Sequence, residues 1–297
     1  MAPFLASLAA NRLAPATLRG YSYDLRHFRA WYDAFHDRPF AFEALAEPVL
    51  LAYRQHMIAA DHRPATINRR LEALNCLGRW ACGTGALDVA TLGQVPPMRT
   101  IRNRRPDGLT DREVQALLRA AGTSSHGLAP RNYAMVQLML QAGLRVGELA
   151  ALRLSDVTVN DRSGTIRVPR DTGLKAREIP LNAIGRRALS QYLADRQGSA
   201  RNSALFLSSR ETAMPVRTIQ GMIAGLARRA RLKRIPVTAN TLRHTFALGY
   251  LHDNPGQVVE LAELLGHESR DMVSLYARPS GDELAAHSEH PSRNAPG

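Results

Sequence analysis

Three short segments of the 297-residue chain hold the side chains best suited to chemistry. The first is Gly143-Leu144-Arg145-Val146-Gly147-Glu148-Leu149 and the second is Asn240-Thr241-Leu242-Arg243-His244-Thr245-Phe246. The third is Leu264-Leu265-Gly266-His267, with Tyr276 nine residues after the histidine. A guanidinium group is a planar, permanently charged fork that donates paired hydrogen bonds to an oxyanion such as phosphate. A phenol is a nucleophile once its proton is drawn off, which unaided happens only at pH about 10. Each residue alone also has an ordinary structural role. Arg145 would sit at a helix start, Arg243 in a core-edge salt bridge, His267 at a helix C-terminus, and Tyr276 against Met272 and Leu275. The ordered set favours the chemical reading, provided the fold joins Arg145 to Arg243 across 98 positions.

Other chemistries lack their residues. A metal-dependent nuclease needs clustered carboxylates, and the nearest acidic pairs, Glu260 with Glu263 and Glu268 with Asp271, read as solvated helix faces. No Gly-rich nucleotide loop is present, so no ATP is expected. Cys76 and Cys82 form no disulfide framework and no zinc spacing. No metal or other cofactor is expected. No apolar run approaches a membrane span of about 20 residues, and the N-terminus lacks a basic region ahead of its apolar stretch. A reducing, cytoplasmic location and no membrane partner follow as expectations.

The elements that must position these groups are mostly helical. Leu18, Tyr21, Leu25, Phe28 and Tyr32 recur at helical spacing. A second helix is predicted from about Pro48 through Leu51, Tyr53 and Met57, and a third carries Ile67, Leu71, Leu74 and Leu77 on one face. Arg19 and Arg26 on the first helix, and Arg69 and Arg70 on the third, are predicted to project off the apolar faces as candidates for phosphate contact. Thr110 and Glu113 form a capping-box pattern ahead of Val114, Leu117 and Leu118. A helix through Tyr133, Val136, Met139 and Leu140 stops at Gly143. The runs Thr165–Val168 and Glu178–Leu181 predict a β-hairpin with a polar tip. Helices follow at about 183–195, 215–230, 241–252, 256–265 and 270–277. The fold class is mainly α with a small β element.

Charge adds a partner. The formal net charge is +13, and every basic residue except Lys175 and Lys233 is arginine. Such an excess in a soluble chain points to a polyanion, usually nucleic acid. Residues 1–92 are nearly balanced. Residues 93–107 combine Pro96, Pro97 and Pro106 with Arg99, Arg102, Arg104 and Arg105, and read as an extended basic linker that neutralises phosphates without reading sequence.

With Thr17-Leu18-Arg19-Gly20-Tyr21 and Thr66-Ile67-Asn68-Arg69-Arg70-Leu71, the three segments give a pattern that resembles the tyrosine recombinase (phage-type integrase) family, including the Xer recombinases, over nearly the whole chain. The resemblance implies a helical core-binding domain (1–92), the linker (93–107), a catalytic domain with a β-hairpin (108–285) and a tail (286–297), the two domains closing round double-stranded DNA. It implies a site-specific recombinase that cuts and rejoins DNA without metal or ATP. Tyr276 would be the nucleophile and become linked to a 3′-phosphate. Arg145 and Arg243 would hold the phosphate, and His267 would assist. It further implies a homo-tetramer on DNA, with a partner recombinase or accessory factor open. The small apolar face of Glu283-Leu284-Ala285-Ala286, within the predicted helical turn Asp282–His287, suggests weak self-association and mostly monomer without DNA.

The chain departs from the family pattern twice. The usual histidine three residues before the second arginine is Asn240. The usual hairpin lysine, the general acid, falls on or near Asp171, leaving Lys175 as the general acid; Arg170 hardly ever releases a proton. His244 has a family counterpart that is chiefly structural. Two alternatives therefore stand beside recombination: a DNA-binding protein of this fold with weakened catalysis, and a type IB topoisomerase-like relaxing enzyme.

Overall fold

A computed structural model describes residues 1–11, 13, 15–36, 39–99, 105–124, 127–169, 176–196, 203–266 and 275–276. It divides into two compact units, Met1–Arg102 and Asn103–Gly297. Helices dominate both, and the described strands form one small sheet in the second.

In the first unit, α1 (Ala2–Ala10) and α2 (Pro15–His36) precede α3 (Glu47–Ala59) and α4 (Pro64–Gly83). Prolines lie at the first turns of α1, α3 and α4, where their missing N–H costs no helical bond. The spacing-derived faces become the core: Leu25, Phe28, Tyr32, Tyr53, Met57, Ile67, Leu71, Leu74 and Leu77 are buried. Phe28 and Tyr53 meet edge-to-face at 4.9 Å, tying α2 to α3. Burying each such side chain stabilises the unit by about 1.5–3 kcal/mol. The sequence reading did not anticipate α1, whose Phe4 packs on Tyr21 and Trp80.

Arg70 departs from its expected place. It does not project from α4 into solvent but is buried, 3.8 Å from Asp24 and 3.0 Å from the His27 ring. Asp24 is itself buried and also accepts from Arg69. A buried carboxylate needs compensating positive charge; Arg69 supplies the hydrogen bond and Arg70 an ion-pair partner. Burial raises Asp24 above the ordinary carboxyl range despite both arginines. It also presses the His27 imidazole down to about 4, with Arg70's charge adding to the effect.

The second unit opens with α5 (Asp111–Gly122), capped as expected: the Thr110 hydroxyl accepts from the Glu113 N–H, and the Glu113 carboxylate accepts from the Thr110 N–H. Helices α6 (Ala129–Ala142) and α7 (Val146–Ala151) follow. The sheet is antiparallel, in the order β1 (Val157–Val159), β2 (Gly164–Val168), β3 (Arg177–Pro180). The hairpin of β2 and β3 matches the sequence reading, and β1 is an addition. Its three residues are too short to show alternation, and only pairing with β2 defines it. Helices α8 (Ala183–Asp195), α9 (Val216–Arg229), α10 (Ala239–Asp253) and α11 (Val258–Leu265) complete the unit. The expected helix at 270–277, apart from 275–276, and the turn at Asp282–His287 lie outside the described residues.

Two glycines shape the centre of this unit. Gly143 ends α6 at φ 57° and Gly266 ends α11 at φ 64°, both left-handed. A Cβ on Gly143 would come within 2.4 Å of the Phe246 ring, and one on Gly266 within 2.7 Å of the Arg177 guanidinium. Only glycine fits either position.

Candidate active site

The ends of α6 and α11, the start of α7, the first residue of β3 and the middle of α10 meet at one place. A helix C-terminus presents unpaired carbonyls and partial negative charge, so cations are favoured there. Three arginines from distant segments exploit this.

Arg243, on α10, donates to the Gly143 carbonyl at 2.6 Å and to the Leu265 carbonyl at 2.7 Å. Its side chain is buried. Burial first, and the neighbouring charge of Arg145 second, pull its guanidinium down to about 10, still protonated near neutrality. Arg145, just ahead of α7, donates to the carbonyls of Leu265 (3.2 Å) and Gly266 (3.3 Å) and to Glu148 (3.0 Å). Its side chain remains 32% exposed, so this guanidinium can also reach an arriving anion. The fold thus joins the two arginines that the sequence placed 98 positions apart.

Two partners were not among the sequence candidates. Arg177 opens β3, on the same strand face as the buried Ile179, and so points inward. It donates from Nε to the Leu264 carbonyl at 2.6 Å and grips both oxygens of Glu148 at 2.9 Å. Glu148 also caps α7 by accepting from the Arg145 N–H at 2.7 Å. Burial alone would raise the Glu148 carboxyl. The hydrogen bonds from Arg177 outweigh it, with help from Arg145, and hold it below the usual range. An inward arginine in an amphipathic strand was the available signal, since a buried cation demands a counterion.

Three guanidinium groups against one carboxylate leave the cluster two positive charges in excess. Beside it sits Tyr276, buried against Ala247, Leu261, Ala262 and Leu265. Burial pushes its phenol above the ordinary value, while Arg243 and Arg145 pull it back. Its hydroxyl lies 2.7 Å from Nδ1 of His244, with the ring centroids 5.6 Å apart. Burial and then the charge of Arg243 lower the His244 imidazole from its ordinary 6.5. This contact departs from the chiefly structural role that the family resemblance implies for His244. The arrangement offers a nucleophile with a hydrogen-bonded imidazole, next to forks suited to a phosphate.

The other candidates are placed less centrally or not at all. Asn240 is exposed on the first turn of α10, and among the described residues it has no hydrogen bond to Tyr276. His267, Lys175, Asp171, Arg170, Arg102 and Arg104 lie outside the described residues. Arg19 and Arg26 are exposed on α2, Arg26 donating to the Ser22 carbonyl. Arg69 is half exposed on α4 while bonded to Asp24, and Arg105 is partly buried. Arg70, as described above, is committed to the interior. Among the described residues no group of His, Cys, Asp and Glu could hold a metal ion, and no helix is long and apolar enough to cross a membrane.

Residues 108–283 match the model of the phage integrase family. The chain is 30% identical to the tyrosine recombinase XerC of Pelobacter propionicus, covering 92% of this chain and 88% of that one. It is also 30% identical to the tyrosine recombinase XerD of Ralstonia nicotianae, over 95% and 90% of the two chains. Among solved structures, the XerH site-specific recombinase bound to its difH substrate in a pre-cleavage complex superposes with a TM-score of 0.72 at 20% identity. That match covers 91% of this chain and 78% of that one.

Proposed function

This chain belongs to the phage integrase family of tyrosine recombinases, and from that premise we propose that it cuts and rejoins duplex DNA at specific sites through a covalent phosphotyrosyl link. The observation that carries the reading is the convergence of Arg145, Arg243 and Arg177 on the end of α11, with Tyr276 beside Arg243 and Arg145. Attack by a phenol conserves the energy of the phosphodiester, so the exchange needs neither ATP nor metal. The transition state places extra negative charge on the non-bridging oxygens. Arg145 and Arg243 hold that charge, and each such contact contributes on the order of 3 kcal/mol of transition-state stabilisation. Tyr276 attacks phosphorus and becomes linked to the 3′-phosphate, and the 5′ oxygen leaves with a proton from Lys175. His267 donates to a phosphate oxygen.

The net charge of +13 fits a duplex partner. Arg19, Arg26 and Arg69 are the phosphate contacts of the first unit, joined by Arg102, Arg104 and Arg105. Four protomers assemble on two sites in the cytoplasm and exchange strands in two steps.

One observation favours a second reading. Asn240 stands at the usual histidine position and is exposed, which fits a DNA-binding protein with weakened catalysis. A single experiment separates the two. Sites are selected from a random DNA pool, nicked within the bound region, and incubated with the full chain. Recombinase function predicts a covalent adduct with the wild type and none with Tyr276→Phe. Specific binding without any adduct supports the second reading.

A further inference from the structure

Attack by Tyr276 requires that its hydroxyl lose a proton, and the surroundings of that oxygen narrow the acceptor. Helix α10 brings Arg243 and His244 to it. Helix α11 packs the apolar Leu261, Ala262 and Leu265 against the Tyr276 ring. The start of α7 brings Arg145 and β3 brings Arg177, with Glu148 clasped between them. Guanidinium groups take no further proton, and an amide such as Asn240 cannot exchange one near neutrality. Glu148 is occupied by the arginines. Among the described residues, His244 Nδ1, at 2.7 Å, is the one acceptor hydrogen-bonded to the phenol.

We propose that His244 is the general base of strand cleavage. The inference rests on the recombinase reading given above. The imidazole is neutral with its proton on Nε2, and Nδ1 accepts the hydrogen bond from Tyr276. As the bond from the Tyr276 oxygen to phosphorus forms, the phenol proton passes to Nδ1. The bond from phosphorus to the 5′ oxygen breaks, its electron pair leaves with that oxygen, and Lys175 protonates it. In rejoining, the 5′ hydroxyl gives its proton to Lys175 and attacks phosphorus, and the departing Tyr276 oxygen recovers its proton from His244. Asn240 and His244 are four residues apart, hence on one face of α10. The proposed base thus lies one turn further along the helix than the usual histidine position. Burial and Arg243 favour the neutral ring, the form a base must have.

The test uses the full chain and single-turnover cleavage of a selected, nicked duplex. One substrate carries the natural 5′ oxygen and a second carries sulfur at that bridging position, a leaving group that needs no acid. The variants are His244→Asn, which keeps a hydrogen-bonding atom near the Nδ1 position, His244→Ala, Lys175→Ala and His267→Asn. A general base is worth about 10²–10⁴-fold, so His244→Asn should lose at least about 100-fold on both substrates. Lys175→Ala should recover on sulfur. Wild-type cleavage should fall at acid pH as His244 protonates, a limb absent from His244→Asn, and added imidazole should partly restore His244→Ala. Unchanged DNA affinity and melting temperature in His244→Asn would place the loss in the chemical step. Cleavage by His244→Asn within about threefold of wild type, or an acid limb that persists there and vanishes in His267→Asn, would overturn the assignment. Should the wild type itself form no adduct on DNA that it binds specifically, the recombinase reading falls, and His244 as base falls with it.

Discussion

Arg177 and Glu148 meet fork to fork: both terminal nitrogens of the guanidinium lie 2.9 Å from the two carboxylate oxygens, across 29 residues of chain. Both side chains are largely buried. The same carboxylate accepts from Arg145, so one acid organises two of the three arginines. Without it, three cations would face one another around the ends of α6 and α11.

Glu148→Gln should therefore cost about 3 kcal/mol in urea unfolding at pH 7, since removing one partner strands buried charge. The sign with pH follows from the lowered carboxyl. A depressed acid stabilises above its unfolded value, about 4.3, and loses that contribution as pH falls through the folded value. The gap between wild type and variant should narrow below about pH 4. A gap that stays constant with pH would contradict this role.

The corrected place of Arg70 separates binding from folding. Arg70→Ala leaves a carboxylate buried with one fewer cation. It should lower stability by about 3 kcal/mol and leave the salt dependence of DNA binding unchanged. Arg19→Ala should do the reverse, leaving the melting temperature unchanged and reducing the slope of log affinity against log salt by about 0.9. Matched thermal melts and salt titrations distinguish the two residues.

Much of the frame was legible in the sequence because it is local. Helical spacing found the faces of α2, α3 and α4, Thr110 and Glu113 announced their capping box, and two β-like runs around a polar turn marked the hairpin. Type, order and resemblance singled out Arg145, Arg243 and Tyr276 as candidates, and the fold brings the three together. What escaped was set by tertiary contact. His244 reaches Tyr276 over 32 residues, and nothing within its own helix shows which way it faces. Arg70, three residues after Ile67 and four before Leu74, lies on the buried face of α4, and its charge is accommodated there by Asp24 on α2, a partner that α4 alone does not reveal. Strand β1 exists only through its pairing with β2.

Gly143→Ala tests the close approach at the end of α6. The added methyl would have to adopt a left-handed backbone and enter the Phe246 ring. A loss of about 2 kcal/mol or more is expected, together with slower cleavage, because the Gly143 carbonyl holds Arg243. Gly147→Ala, where a methyl meets nothing within 4 Å, should stay within about 1 kcal/mol of wild type. Chemical denaturation of both variants measures the difference.

Arg145→Lys retains the charge but removes the fork. Its side chain is partly exposed, so stability should change little. The rate of adduct formation should fall by about 100-fold or more. Single-turnover assays at saturating protein read this directly, and a rate near wild type would show that Arg145 does not hold the reacting phosphate.

The most direct measurement is digestion of the trapped protein–DNA adduct followed by mass spectrometry of the nucleotide-bearing peptide. The account predicts a peptide containing Tyr276, joined through its phenol oxygen to a 3′-phosphate and lost in Tyr276→Phe. A linkage to any other residue, or to a 5′-phosphate, would contradict it.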